Sequence, residues 1–227
     1  MPVVLLAHGS RHPHGVASID TLAAAVAERT GLDVRTAYLD LNQPDLAAAA
    51  AGLAADGRRS AVIVPLLFTP AFHARTDAPA TIAAAATSSG IELITADIIG
   101  TSDALLDLLQ TAAAAAAVPD HGPVLLTSVG SSRPEANAAV ADLAERLAAV
   151  RGAPVRAAFA TCAPRAVDAV ADDPDLAGVL ALFVGRGLLL DSIAAAASDR
   201  GIPISAPLED ALVPLVVERY AAAVRTP

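Results

Sequence analysis

The chain repeats itself. Residues 124–134, VLLTSVGSSRP, lie on residues 4–13, VLLAHGSRHP, when glycines and prolines are superposed: Gly130 on Gly9, Ser131 on Ser10, Pro134 on Pro13. Three more pairs follow in the same order. VRAAFATCAP (155–164) repeats VRTAYLDLNQP (34–44), and GVLALFVGRGLLLDSI (178–193) repeats VIVPLLFTPAFHARTDAP (62–79) with a short deletion. GIPISAPLEDALVPLV (201–216) repeats GIELITADIIGTSDALLDLL (90–109). A tandem duplication requires one element order to serve both halves, so a single unit has to be read.

Within that unit, short apolar runs alternate with alanine-rich stretches. VVLLA (3–7), VRTAYL (34–39), AVIVPLL (61–67) and IELITA (91–96) read as strands of a parallel sheet buried on both faces. Residues 14–30, 44–57, 77–88 and 102–117 read as helices, with Pro44 and Pro79 near first turns. The fold class is therefore α/β: a tandem duplication of a parallel-sheet βαβαβαβα domain with right-handed crossovers. The expected domains are 1–117, a turn-rich linker VPDHGP at 118–123, and a second repeat at 124–227. Ligands of such sheets gather beyond the carboxyl ends of the strands.

Composition narrows the function classes. The formal charge of −9 argues against nucleic acid and anionic membrane surfaces, which need a basic footprint. No apolar stretch is a convincing span, and Met1 leads within a few residues to the polar HGSR, unlike a signal peptide; a cytoplasmic location is expected. Cys162 is the only cysteine, so any metal would be held by His, Asp or Glu.

The duplication separates what the fold needs from what one half alone carries. Gly9 and Ser10 recur, which suits a strand-to-helix turn whose backbone amides could also meet an anion. His8 falls on Val129, and His73 falls on the deleted region, so the second half has neither histidine and one active site is expected, on the first. Both follow strands whose carboxyl ends share an edge, and two facing imidazoles could bind a divalent metal, take a proton, or do both. Arg11, which becomes Ser132, and Arg75, lost from the second half, could hold substrate carboxylates; a surface role competes for each. Asp40 becomes Thr161 and is a weaker third candidate at the strand-two edge. Asp77 has a counterpart in Asp191, which favours helix capping. His12 and His14 read as turn residues and His121 as solvated linker.

LLAHGSRHP, AYLDLNQPDL and VPLLFTPAFHARTDAP together resemble the CbiX/SirB-type sirohydrochlorin chelatases, class II chelatases of sirohaem and cobalamin biosynthesis. The resemblance runs through the whole chain, duplication included. It implies two similar domains facing across a cleft, a tetrapyrrole bound there, and insertion of Fe2+ or Co2+, with His8 and His73 matching the family's two active-site histidines. It implies no permanently bound cofactor, since the histidine-rich segment and iron-sulfur motif of some long members are missing; the metal is a substrate. Ala71 stands where many members have glycine. The anionic tetrapyrrole would meet Gly9, Ser10, Arg11 and Arg75, and a fused pair of repeats makes a monomer the expectation.

Two other readings are kept. A non-catalytic metal or tetrapyrrole carrier would use the same ligands. A histidine phosphatase is suggested by HGSR, but its motif needs arginine directly before His-Gly, and here Ala7 precedes His8. Nothing in the residues selects iron over cobalt.

Overall fold

The computed structural model describes residues 1–69 and 78–225, with the side chain of Ala78 excepted. Two compact units emerge: Met1–Gly100 together with Glu209–Pro227, and Thr101–Leu208.

Unit 1 is built on β1 (Val3–Ala7), β2 (Val34–Tyr38), β3 (Ser60–Pro65) and β4 (Glu92–Thr95), all parallel, in the order β2-β1-β3-β4. Every residue of β1 is buried, as a central strand covered on both faces must be. It pairs with β2 from Val3↔Val34 to Ala7↔Tyr38, and with β3 from Val3↔Val62 to Leu6↔Pro65. The flanking helices are α1 (Gly15–Thr30), α2 (Leu46–Ala55) and α3 (Ala78–Ser89). Gly31, left-handed at φ 68°, closes α1 by donating its amide to Ala27. Asp45 caps α2 by accepting from the Ala48 amide, so this helix starts just beyond Pro44. Leu46, Ala50 and Leu53 of α2 pack with Val4, Leu6 and Ile63 in one core.

Unit 2 repeats the plan with β5 (Val124–Ser128), β6 (Val155–Phe159) and β7 (Gly178–Ala181), ordered β6-β5-β7. Val124 pairs with Val155 and with Gly178, the register of Val3 with Val34 and Val62. Its helices α5 (Pro134–Arg151), α6 (Ala166–Asp172) and α7 (Leu188–Asp199) follow the strands as in the first repeat. Gly152, at φ 69°, closes α5 as Gly31 closes α1. The fourth strand shrinks to one bridge, Val179↔Ile204. Pro203 has no amide to give to a ladder, and the Ser205 hydroxyl takes the Ala181 amide instead.

The units part at different places from the sequence boundary at 118–123. Helix α4 (Ala104–Ala115), from the first repeat, packs on α5 and β7. The last helix, α8 (Val213–Arg225), after a 3-10 turn at Glu209–Leu212, packs on α1 and β3. Each repeat thus lends its final helix to the other unit. Packing, invisible in a local residue pattern, decides this: Leu215 and Val216 are buried in unit 1, and the buried Ser18 hydroxyl donates to Glu209 at 2.7 Å. No helix among the described residues is long and apolar enough to cross a membrane.

Candidate functional site

The carboxyl end of β1 is locked to the loop after β2. The Leu39 amide donates to Ala7 at 2.9 Å and the Asp40 amide to the His8 carbonyl at 3.0 Å, extending the ladder past the last strand residues. His8 is the first exposed residue after six buried ones, Pro2–Ala7. Strand ends deliver it there, since β1 runs out of apolar residues at Ala7.

Gly9 then turns the chain at φ 101°. A β-carbon on it would lie 2.0 Å from the Asp40 carbonyl oxygen and 3.0 Å from Asn42 Oδ1, so the two loops touch where only glycine fits. The Ser10 amide donates to Asn42 Oδ1 at 2.6 Å, and the Asn42 amide to the Asp40 carbonyl at 2.8 Å. Ser10 Oγ accepts from the His12 amide at 3.1 Å, and His12 Nδ1 from the His14 amide at 3.1 Å.

These bonds tie the turn together. The Ser10, His12 and His14 amides each donate within the turn. Gly9 and Ser10 hold this turn, and unit 2 builds its own with different parts: the Ser131 amide donates to Asn137 Oδ1 at 2.9 Å, and Ser131 Oγ accepts from the Arg133 amide. The side chain of Arg11 is exposed at this edge. His12 and His14 have ring centroids 5.5 Å apart in the turn, and His121 is exposed in the segment that leads into β5.

Asp40 and His8 are joined through the backbone, and in unit 2 the Thr161 amide donates to the Val129 carbonyl at 3.0 Å. The pairing makes Val129 the structural counterpart of His8 and Thr161 that of Asp40. Val129 is 45% exposed, an apolar residue at a place polar in the first repeat. Just inside this edge, Tyr38 closes β2, and its phenol is pushed above its ordinary value by burial and by the charge of Asp20. Thr36 tempers the rise, although the hydroxyl makes no hydrogen bond of ordinary geometry.

His73, Arg75, Ala71 and Asp77 lie outside the described residues. Their segment follows β3, and β3 is the hydrogen-bonded neighbour of β1. Among the described residues, no three His, Cys, Asp or Glu side chains are placed to hold a metal ion. The sequence reading gave no role to Asn42, which ties the two loops, or to Leu41, left-handed at φ 65°. The position of Asn42, two residues before Pro44 in a polar turn, was the available signal for a side chain bonding to backbone.

The CbiX family model matches residues 2–116. The chain is similar to the sirohydrochlorin chelatase SirB from Bacillus subtilis subspecies spizizenii in complex with cobalt, at 18% identity and a TM-score of 0.80, covering 100% of this chain and 97% of that one. It is similar to SirB from Bacillus subtilis with Fe3+, at 20% identity and TM-score 0.76, covering 99% and 95%. It is also similar to CbiX, the terminal enzyme for biosynthesis of siroheme in denitrifying bacteria, at 24% identity and TM-score 0.73, covering 98% and 99%. At these identities the likeness establishes a shared fold over the whole length. No curated protein sequence matches.

Proposed function

The chain belongs to the CbiX family, and on that premise we propose that it is a chelatase inserting Fe2+ or Co2+ into sirohydrochlorin, the substrate class of the similar SirB proteins. One observation carries the reading. His8 is exposed at the carboxyl end of the central strand and backbone-bonded to Asp40, whereas the same place in the duplicate holds Val129 and Thr161.

Metallation replaces two pyrrole N–H protons by one divalent cation. The metal must shed water, two protons must leave, and the ring must present nitrogen lone pairs. A neutral imidazole can do the first two in turn, and histidine's ordinary pKa of about 6.5 keeps a neutral fraction at cellular pH. His8 would bind the metal and accept a proton, with His73 as its partner from the segment after β3. The Asp40 carboxylate, on the loop that bonds to His8 through the backbone, would lower the cost of bringing a cation to the edge. Arg11 and Arg75 suit the rim carboxylates of the tetrapyrrole. Few strong ligands make an exchangeable site, which a metal that is substrate requires. Both repeats lie within one chain, which supports a monomer as the working unit.

Anaerobic assays of Fe2+ and Co2+ insertion, side by side, test the reading. Accelerated appearance of the metallated spectrum by the wild type, lost in His8→Ala and His73→Ala, is expected. Full rates in both variants would remove these residues from the site. A carrier would bind sirohydrochlorin in single-turnover experiments without speeding metallation.

A further inference from the structure

The loop after β2 holds one residue that metallation as described leaves unused. Leu41 sits between Asp40, whose amide bonds to His8, and Asn42, whose side chain holds the Ser10 amide. Its φ is 65°, a region sterically unfavourable for residues with a β-carbon and uncommon outside glycine, asparagine and aspartate.

The surroundings impose this conformation. The Leu41 amide donates to Asp40 Oδ1 at 2.8 Å, and the Asn42 amide to the Asp40 carbonyl at 2.8 Å. The outcome is a leucine 44% exposed between polar neighbours, on the edge that carries His8. Glycine or asparagine would take the same backbone with less strain and without offering apolar surface to water. In the second repeat, whose loop is one residue shorter, Cys162 occupies the corresponding place and is not left-handed. Strain retained at a ligand-binding edge, together with an apolar side chain held in solvent, marks a contact residue.

We propose that Leu41 is a substrate-contact residue that packs on the apolar face of the tetrapyrrole and so seats the ring beside His8. This rests on the metallation reading. The macrocycle is a flat conjugated disc with its carboxylates on the rim, and a leucine matches the disc, whereas Arg11 matches the rim.

The test compares wild type, Leu41→Asn, Leu41→Gly and Leu41→Met, using sirohydrochlorin fluorescence titration, steady-state Co2+ insertion and thermal melting. Asparagine and glycine accept a left-handed backbone, so both variants should melt at or above the wild-type temperature. Their Kd and KM for sirohydrochlorin should rise about tenfold, the factor equivalent to about 1.4 kcal/mol of lost apolar contact. KM for Co2+ should stay unchanged and kcat should stay within about twofold, while Leu41→Met should recover most of the affinity. Wild-type Kd in both the Asn and Gly variants overturns the proposal, as does a loss confined to kcat. Lower melting of both variants also overturns it, because the leucine would then serve packing. A wild type that neither binds nor metallates sirohydrochlorin defeats the metallation reading and this one with it.

Discussion

The Asp40 amide donates to the His8 carbonyl at 3.0 Å, and at the equivalent place the Thr161 amide donates to the Val129 carbonyl at the same distance. One backbone frame carries two different sets of side chains. The second repeat therefore supplies a natural control for every statement about the first.

That control suggests His8→Val, the residue the fold already accepts at this place. Stability should remain within about 0.5 kcal/mol of wild type by chemical denaturation. The metallation rate should fall about 10²-fold or more, the range a lost acid–base group commands. A variant that keeps its rate would return the chemistry to some other residue.

Gly9→Ala forces a β-carbon to within 2.0 Å of the Asp40 carbonyl at φ 101°. Backbone strain and overpacking together should cost about 2–5 kcal/mol and displace His8 from Asp40. Gly31→Ala is the comparison, at φ 68° with nothing within 4 Å of the added carbon, and should cost only about 1–2 kcal/mol. Equal losses in urea unfolding would mean that the contact between the two loops carries no energy.

Asp33 sets an acid limb to stability. Arg35 Nε donates to its Oδ1 at 2.8 Å and Arg58 Nη2 to its Oδ2 at 3.2 Å. The Arg35 bond chiefly holds the carboxyl below its ordinary 3.8; burial opposes this, and Arg58 adds to the lowering. A depressed folded pKa means that the unfolded chain binds the proton first as pH falls. The contribution is present above about pH 4 and disappears as pH drops through the folded value. Asp33→Asn should cost about 0.5–1 kcal/mol at pH 7, given the exposure of both arginines, and should flatten the curve below pH 4. An unchanged acid limb would assign it to other carboxylates.

Leu215 is buried in unit 1 although it lies in the last helix of the second repeat. Leu215→Ala should cost about 2–5 kcal/mol. Hydrogen exchange should quicken at Val62–Val64 of β3, against which α8 packs, more than at Leu125 of β5. The reverse pattern would place α8 with its own repeat.

Much of this was legible in the residues, and the reason is local. β1, buried at all five positions, reads as an apolar run because a central parallel strand has no wet face. The equivalence of His8 with Val129 needed only the shared Gly-Ser and proline, since glycine is required where the two loops touch. The exchange of α4 and α8 was not legible, because either sheet offers an apolar surface and tertiary packing alone selects between them. The backbone of Leu41 and the bond of Asn42 were hidden for another reason: a left-handed leucine and an amide bond 32 residues away in sequence leave no periodic trace.

The exchange of last helices has a bearing on ancestry. Two identical single-repeat chains that swapped their C-terminal helices would pair as a domain-swapped dimer. Joining the end of one to the start of the other yields the connectivity found here, with the crossings at Gly100–Thr101 and Leu208–Glu209. Scission at 118–123 would leave two fragments, each holding the helix its partner needs, so complementation in trans should outperform either piece alone.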